Sequence, residues 1–299
     1  MNERKKILII GSSGFIGKNI KEYLQRKDDK YEIFTPSSKE LDVSNESKVK
    51  EYLKENYFDV VIHSAVHNTR TNINRKQEDM LDQTLRMFFS FEKNQKLYGK
   101  MLYFGSGAEY DKTRNIKSVE EKEIGQSIPK DSYGFAKYII NNAIRNSSNI
   151  YNLRLFGIYG RYEDWKTRFI SNACCKVINN IPISIRKNVY FDYLFIDDFC
   201  KIIEWFINNI PIYRDYNITN SSPIDLKTIA EKILDVSNKK VPIYVCTNGL
   251  DNEYTASNSR LKNEMLDIKF TDINIAIKNL YGWYYENKDS IDLYSLLYQ

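Results

Sequence analysis

Tyr133 and Lys137, in the run Tyr133-Gly134-Phe135-Ala136-Lys137, stand one helical turn apart, so a phenol and an ammonium share a face. A free tyrosine holds its proton to a pKa of about 10 and is a poor acid-base catalyst near neutrality. A neighbouring ammonium favours the phenolate and moves the group toward the working range. Ser106 lies upstream, where its hydroxyl can donate a second hydrogen bond to a substrate oxygen. Such a set suits proton transfer to an oxygen whose carbon receives a hydride. A holder for the hydride source is also present. Gly11-Ser12-Ser13-Gly14-Phe15-Ile16-Gly17 follows a short apolar run, and glycines there permit a tight turn, close approach to a pyrophosphate and close helix-to-strand packing. The helix that begins there offers unpaired N–H groups to the anion. The expected chemistry is hydride transfer between a nicotinamide cofactor and a carbonyl or carbinol carbon. Tyr133 would give the proton, and Lys137 would also hold the nicotinamide ribose.

The elements that must position these groups follow an alternating pattern. Short apolar runs at Ile7 to Ile10, Tyr31 to Phe34, Val60 to His63, Met101 to Phe104 and Tyr151 to Leu155 read as buried strands. Amphipathic helices are expected between them: Lys18 to Arg26, Glu46 to Glu55, about Asp79 to Asn94 with Leu81, Leu85, Phe88 and Phe89 inward, and Tyr133 to Asn146. That succession predicts an α/β Rossmann fold, a doubly wound parallel sheet. Beyond about residue 160 the rhythm loosens. Strands at Ile183 to Ile185, Tyr190 to Phe195, Tyr216 to Ile218 and Ile243 to Val245 mix with helices near Thr167 to Asn179, Asp197 to Ile207, Leu226 to Val236 and Ile273 to Glu286. The division expected is a cofactor domain over 1–160 and a smaller α/β substrate lobe over 161–299, with some segments returning to the first domain. The two lobes should form one continuous body.

Composition narrows the class. With 299 residues, 42% of them hydrophobic and 28% charged, the chain is an ordered globular protein. The net charge of +5 comes from lysines spread along the whole chain, a solvated surface with no nucleic-acid partner expected. Cys174, Cys175, Cys200 and Cys246 have neither metal-ligand spacing nor a disulfide framework, so reduced thiols and no metal are expected. The first apolar run is too short for a signal peptide or a membrane span, which points to the cytoplasm.

At the end of the second strand, many NAD sites carry a carboxylate for the ribose hydroxyls. Here the stretch reads Thr35-Pro36-Ser37-Ser38-Lys39, and the hydroxyls of Ser37 and Ser38 with the Lys39 ammonium favour the 2′-phosphate of NADPH over NADH. Ser13, Gly14, Phe15 and Ile16 would face the pyrophosphate, Asp42 and Val43 the adenine edge. Ser64, Ala65 and Val66, closing the third strand, would lie under the cofactor. His63 reads as a packed, hydrogen-bonded histidine.

Taken together these motifs resemble the extended short-chain dehydrogenase/reductase family of nucleotide-sugar epimerases, dehydratases and reductases. Asp192-Tyr193-Leu194-Phe195-Ile196-Asp197-Asp198 and Asn152-Leu153-Arg154-Leu155-Phe156-Gly157-Ile158-Tyr159-Gly160 resemble two further family segments. The resemblance implies a nucleotide-diphosphate sugar as substrate, with Ser106, Gly107 and Ala108 beside the sugar. It also implies a homodimer through the helices near Asp79 to Asn94 and Tyr133 to Asn146. The family's 4,6-dehydratases place Asp-Glu directly after the catalytic serine or threonine, and its GDP-fucose synthase type has a cysteine two positions after the serine. Gly107 and Ala108 supply neither set, and Glu109, one place later, reads as a loop carboxylate or surface charge. What remains is hydride transfer at one carbon. The lead is an NADPH-dependent 4-keto reductase, nearest to the GDP-fucose synthase type, whose second-strand exit resembles Glu40-Leu41-Asp42-Val43. An NAD-dependent 4-epimerase and a non-catalytic NADP-binding regulator on the same fold stay open. Gly157 stands where many members have an asparagine, Arg161 replaces a frequent proline, and Phe191 takes the place of an arginine that meets the diphosphate. Arg168 and Arg186, with Lys187 near the latter, are the candidate replacements, each also readable as a surface charge. His67 reads as a loop residue.

Overall fold

The structure is a computed structural model that describes residues 3–67 and 76–297. Ile7, Leu8, Ile9 and Ile10 are all buried, as in a strand covered on both faces, and they form most of β1 (Lys5–Ile10). With it run β2 (Tyr31–Phe34), β3 (Val60–His63), β4 (Lys100–Ser106), β5 (Ile150–Leu155) and β6 (Asp215–Ile218), all parallel, in the order β6-β5-β4-β3-β1-β2. The register sets Ile10 opposite His63 and His63 opposite Tyr103. From β1 the chain passes outward to β2 and then crosses to β3 on the other side, so a crevice opens at the carboxyl ends of β1 and β3.

Helices cover both faces. α1 (Phe15–Gln25) starts three residues earlier than the sequence pattern suggests, because Gly14 in extended conformation is its N-cap. α2 (Glu46–Glu55) is capped by the Asn45 side chain, which accepts the Lys48 N–H at 3.1 Å. It shares a face with α3 (Met80–Glu92) and α4 (Ser132–Arg145): Leu8, Ile10, Val61 and Tyr103 of the sheet pack there with Val49, Phe88, Phe91 and Ile140. The inward face of α3 consists of Met80, Thr84, Met87, Phe88 and Phe91, whereas Leu81, Leu85 and Phe89 are only half-buried. The helix carries two apolar stripes, and the sheet takes the one that holds Phe88 and Phe91.

On the opposite face Ile7, Ile9, Ile20 and Leu24 belong to a cluster that runs without interruption into the second half of the chain. There α5 (Phe169–Ile178), α6 (Ile196–Asn208), α7 (Leu226–Ser237), α8 (Ser259–Glu264) and α9 (Ile273–Glu286) lie with a parallel two-stranded ladder of Ile183–Asn188 and Ile243–Leu250. Cys174, Cys175 and Cys200 are buried in this cluster, while Cys246 is exposed. Two pieces return to the main sheet. α6 packs on α1, where the Tyr23 hydroxyl donates to Glu204 at 2.7 Å, and β6 extends the sheet beside β5.

The stretch Tyr190 to Phe195, expected as one strand, is two. Tyr190–Phe191 joins Ile224–Asp225 and Tyr254–Ala256, which in turn pairs with Ile116–Val119; Tyr193–Phe195 pairs with Gly157–Tyr159. Buried Asp192 makes the break: its carbonyl accepts the Gly157 N–H at 3.0 Å and its carboxylate the Ala256 N–H at 2.8 Å, pinning the chain between two sheets. No helix among the described residues is long and apolar enough to cross a membrane.

Candidate active site

The crevice begins at the glycine turn. Gly11 has φ +81°, and a Cβ there would lie 2.8 Å from the Ala65 nitrogen; a Cβ at Gly17 would lie 2.3 Å from the Gly11 carbonyl oxygen. Those two glycines are dictated by the fold itself. Gly14 is different, because its nearest neighbour would be the Gly11 oxygen at 3.5 Å, an ordinary contact. The missing side chain at Gly14 therefore leaves a cradle at the start of α1. That helix has no side-chain cap and no acidic residue in its first turn, so its leading N–H groups suit a pyrophosphate. Ser64 closes the opposite wall, its N–H bonded to the Ile10 carbonyl at 2.9 Å, with Ala65 against Gly11 and Val66 exposed. These residues fit a nicotinamide dinucleotide.

Ser106 ends β4 and caps the short turn Gly107–Tyr110 that follows: its Oγ accepts the Ala108 N–H at 3.2 Å, and its own N–H donates to Glu109 at 3.0 Å. Glu109 is fully buried, which corrects the expectation of a loop or surface charge. Its partner Arg154, also fully buried on β5, donates from Nε to Glu109 at 2.7 Å and from Nη2 to Asp215 at 3.1 Å. Asn141, Asn217 and the Tyr110 hydroxyl take the remaining guanidinium protons, so this buried charge is both paired and hydrogen-bonded. The carboxylate is thereby engaged in holding Ser106.

Asp131 caps α4 by accepting the Gly134 N–H at 2.8 Å, and Gly134 packs directly on the Ala108 carbonyl, where a Cβ would come within 2.8 Å. This contact sets Tyr133 beside Ser106. One turn later, buried Lys137 donates from Nζ to the Tyr103 hydroxyl and to the Phe104 carbonyl, both at 2.7 Å, and stands 5.8 Å from the centre of the Tyr133 ring. Burial lowers the Lys137 pKa to about 8, with the Glu109 charge opposing that shift. The Tyr133 pKa is raised: burial dominates, the Ser106 hydroxyl and the more distant Arg168 guanidinium pull it back, and Glu109 adds to the rise. Sequence reasoning named the neighbouring ammonium as the influence on this phenol; in the structure burial is the largest one, and it raises the pKa. His63 is packed and hydrogen-bonded, its Nε2–H donating to the Met87 carbonyl at 3.1 Å, and burial lowers its pKa to about 4. His67 is buried and donates to the Lys76 carbonyl at 3.2 Å.

Other residues singled out in the sequence fall in different places. Ser37, Ser38 and Lys39 form an exposed turn after β2, and the Glu40 carboxylate folds back to accept the Ser37 N–H at 2.7 Å. Asp42 is exposed, engaged by the Ser44 amide and hydroxyl at 3.1 and 2.7 Å, and Val43 is half-buried beside it. Arg168, N-cap of α5, belongs to the charge environment of Tyr133, Tyr193 and Tyr254. Arg186 is 90% exposed and 3.6 Å from Asp251, with Lys187 at 3.9 Å from the same carboxylate. Sequence reasoning missed Tyr254, whose hydroxyl lies against Gly107. It also missed Lys112, whose ammonium is 5.7 and 5.9 Å from the Tyr133 and Tyr254 ring centres.

A dinucleotide cradle at the switch point, with a serine at the end of β4 and a tyrosine and lysine on α4, belongs to hydride chemistry. The chain is an NAD(P)-dependent oxidoreductase of the extended short-chain dehydrogenase/reductase kind. It belongs to the NAD dependent epimerase/dehydratase family, whose sequence pattern it matches over residues 7–219. It is 24% identical over 279 residues to a GDP-L-colitose synthase of Yersinia pseudotuberculosis, covering 83% of this chain and 89% of that one. Its fold is similar to that of a GDP-L-fucose synthetase from Naegleria fowleri bound to NADP, with a TM-score of 0.84, 15% identity, and 97% and 95% of the two chains covered. It is also similar to a GDP-mannoheptose C4 reductase from Campylobacter jejuni with NADP bound, with a TM-score of 0.78, 19% identity, and 95% and 99% covered.

Proposed function

We propose that this protein reduces the C4 keto group of a nucleotide-linked deoxy sugar with NADPH. The observation that carries the reading is what stands beside Ser106. Gly107 has no side chain, Ala108 is fully buried, and Glu109 is committed to Arg154 and the Ser106 N–H, so no free carboxylate or thiol there can take a proton from the carbon next to the ketone. Elimination and adjacent-carbon epimerisation lack their base. Protonation of an oxygen does not. NADPH, when bound, supplies the hydride. The Tyr133 phenol, kept protonated by burial, gives its proton to the C4 oxygen while Ser106 donates a second hydrogen bond. Lys137 has two of its three donors fixed on Tyr103 and Phe104, and the third would hold the nicotinamide ribose.

The exposed Ser37, Ser38 and Lys39 turn supports NADPH over NADH, since the one carboxylate beside it, Glu40, is occupied by the Ser37 amide. The two NADP-bound neighbours accord with this preference, and they and the colitose synthase relative accord with a GDP-linked sugar. Residues 1–160 hold the cofactor, and 161–299 supply most of the sugar-nucleotide site, with Arg168 toward the diphosphate and Arg186 as a more distant cation. The half-buried stripe of Leu81, Leu85 and Phe89 on α3, which packs against α4, supports a homodimer through those helices. The proposed compartment is the cytoplasm. Purified protein should oxidise one NADPH per 4-keto nucleotide sugar and none without it. Failure with GDP-, UDP- and dTDP-linked keto sugars alike refutes the proposal, whereas retained NAD and interconversion of two sugars without net cofactor use identify a 4-epimerase.

A further inference from the structure

A lysine ammonium has three protons to donate and no lone pair to fill. At Lys137 two of them are committed, to the Tyr103 hydroxyl and to the Phe104 carbonyl, both at 2.7 Å. The carbonyl belongs to the backbone of β4 and is present whatever side chains the strand carries. The hydroxyl depends on one residue. Tyr103 is buried in the middle of the sheet, opposite His63 on β3 and Asn152 on β5. Its ring packs at 5.1 Å on Phe88 and 5.4 Å on His63, in the apolar cluster that holds Leu8, Ile10, Val61 and Ile140. A phenylalanine would fill the same space, so packing alone does not call for the hydroxyl.

What the hydroxyl does is hold the ammonium. Lys137 is buried, both of its acceptors are neutral, and the carboxylate that acts on it, Glu109, is already engaged by Arg154 and the Ser106 N–H. A charge so far from water depends on each acceptor it has. Two bonds fix where Nζ stands and how its protons are turned, whereas on Phe104 alone the ammonium would be free to swing about the one bond that remained. We infer that Tyr103 is a positioning residue for the cofactor, its hydroxyl fixing the Lys137 ammonium so that the third N–H is kept for the nicotinamide ribose. The inference rests on the dinucleotide reading of the crevice and is independent of which sugar is reduced.

The test is a double-mutant cycle read by NADPH binding, in which wild type, Tyr103→Phe, Lys137→Met and the double variant are titrated by fluorescence near neutral pH. Tyr103→Phe should bind NADPH about tenfold more weakly, the scale of one hydrogen bond to a charged group. It should lower kcat by a similar factor, while KM for a 4-keto nucleotide sugar moves less than about twofold. In the Lys137→Met background the same change should alter NADPH binding less than about twofold, because the group it acts through is gone. Tyr103→Phe binding NADPH like wild type, or equal losses in both backgrounds as a merely structural role would give, overturns the inference. If Tyr103→Phe alone does not fold, the two variants without Lys137, in which no ammonium is stranded, decide: equal affinities uphold the inference and unequal ones overturn it. A wild type that binds NADPH but reduces no 4-keto nucleotide sugar overturns the reductase reading alone, and one that binds no nicotinamide dinucleotide overturns both.

Discussion

Replacing Glu109 by glutamine tests the buried pair that anchors Ser106. Oε1 accepts the Ser106 N–H at 3.0 Å and Asn152 Nδ2 at 3.2 Å; Oε2 accepts Arg154 Nε at 2.7 Å and the same Asn152 nitrogen at 3.1 Å. A glutamine offers a single acceptor oxygen, and whichever way its amide is turned the NH2 group meets a donor, Arg154 in one orientation and Ser106 in the other. Removing one partner of a buried ion pair costs about 3–5 kcal/mol. Arg154 retains Asp215 at 3.1 Å, so the lower end, about 3 kcal/mol, applies. Unfolding entropy of about 2.1 cal/mol/K per residue gives ~0.6 kcal/mol/K for 299 residues, and a Tm lower by roughly 5 °C. Thermal unfolding followed by circular dichroism at neutral pH measures it. Combining Glu109→Gln with Arg154→Met should cost less than the two single changes added together, since the second removes the stranded charge. A Tm within about 2 °C of wild type refutes the reasoning.

The two kinds of glycine in the nucleotide turn should separate cleanly. Gly17→Ala, with its Cβ 2.3 Å from the Gly11 oxygen, should destabilise the fold by about 1–3 kcal/mol in denaturant titration. Gly14→Ala should melt like wild type yet bind NADPH at least about tenfold more weakly by fluorescence titration, and normal binding would show that the cradle is not where the pyrophosphate lies. Tyr133→Phe should reduce kcat by about 10²–10⁴-fold with NADPH affinity retained, and unchanged turnover counts against Tyr133 as the proton donor. His63 is held neutral, with its pKa lowered from 6.5 to about 4, so the unfolded chain takes up a proton first on acidification. Its contribution to stability is intact above about pH 6.5 and declines as pH falls toward 4. Tm measured across that window should fall less steeply in His63→Gln, and parallel curves would contradict a buried neutral histidine.

The sheet was largely legible in the sequence because strands covered on both faces are near-continuous apolar runs, as at Ile7 to Ile10 and Val60 to His63. The turn of Gly11 and Gly17 was legible for a similar reason: the positive φ of Gly11 and the contact of Gly17 with the Gly11 carbonyl lie within seven residues. Glu109 was not. Its meaning depends on Arg154, 45 residues away, and no local pattern distinguishes a carboxylate that meets a buried guanidinium from one that meets water. Tyr254 was hidden in the same way, since only the fold brings that strand to Gly107. The division of Tyr190 to Phe195 turns on the hydrogen bonds of Asp192 to Gly157 and Ala256, partners from two different sheets. Helix spacing reveals that Tyr133 has Lys137 as a neighbour but not that burial is the largest influence on the pKa of each.

The return of β6 to the edge of the sheet has a consequence for how the protein is made. A chain leaving the ribosome has already delivered β1 to β5 and both ends of the Arg154 and Glu109 pair before Asp215, the second counter-charge, is synthesised. Until then β5 is an open edge with unpaired backbone groups, a template for other nascent chains. The edge of β5 is therefore covered only once residues 215–218 have been made, late in the order in which the sheet is delivered.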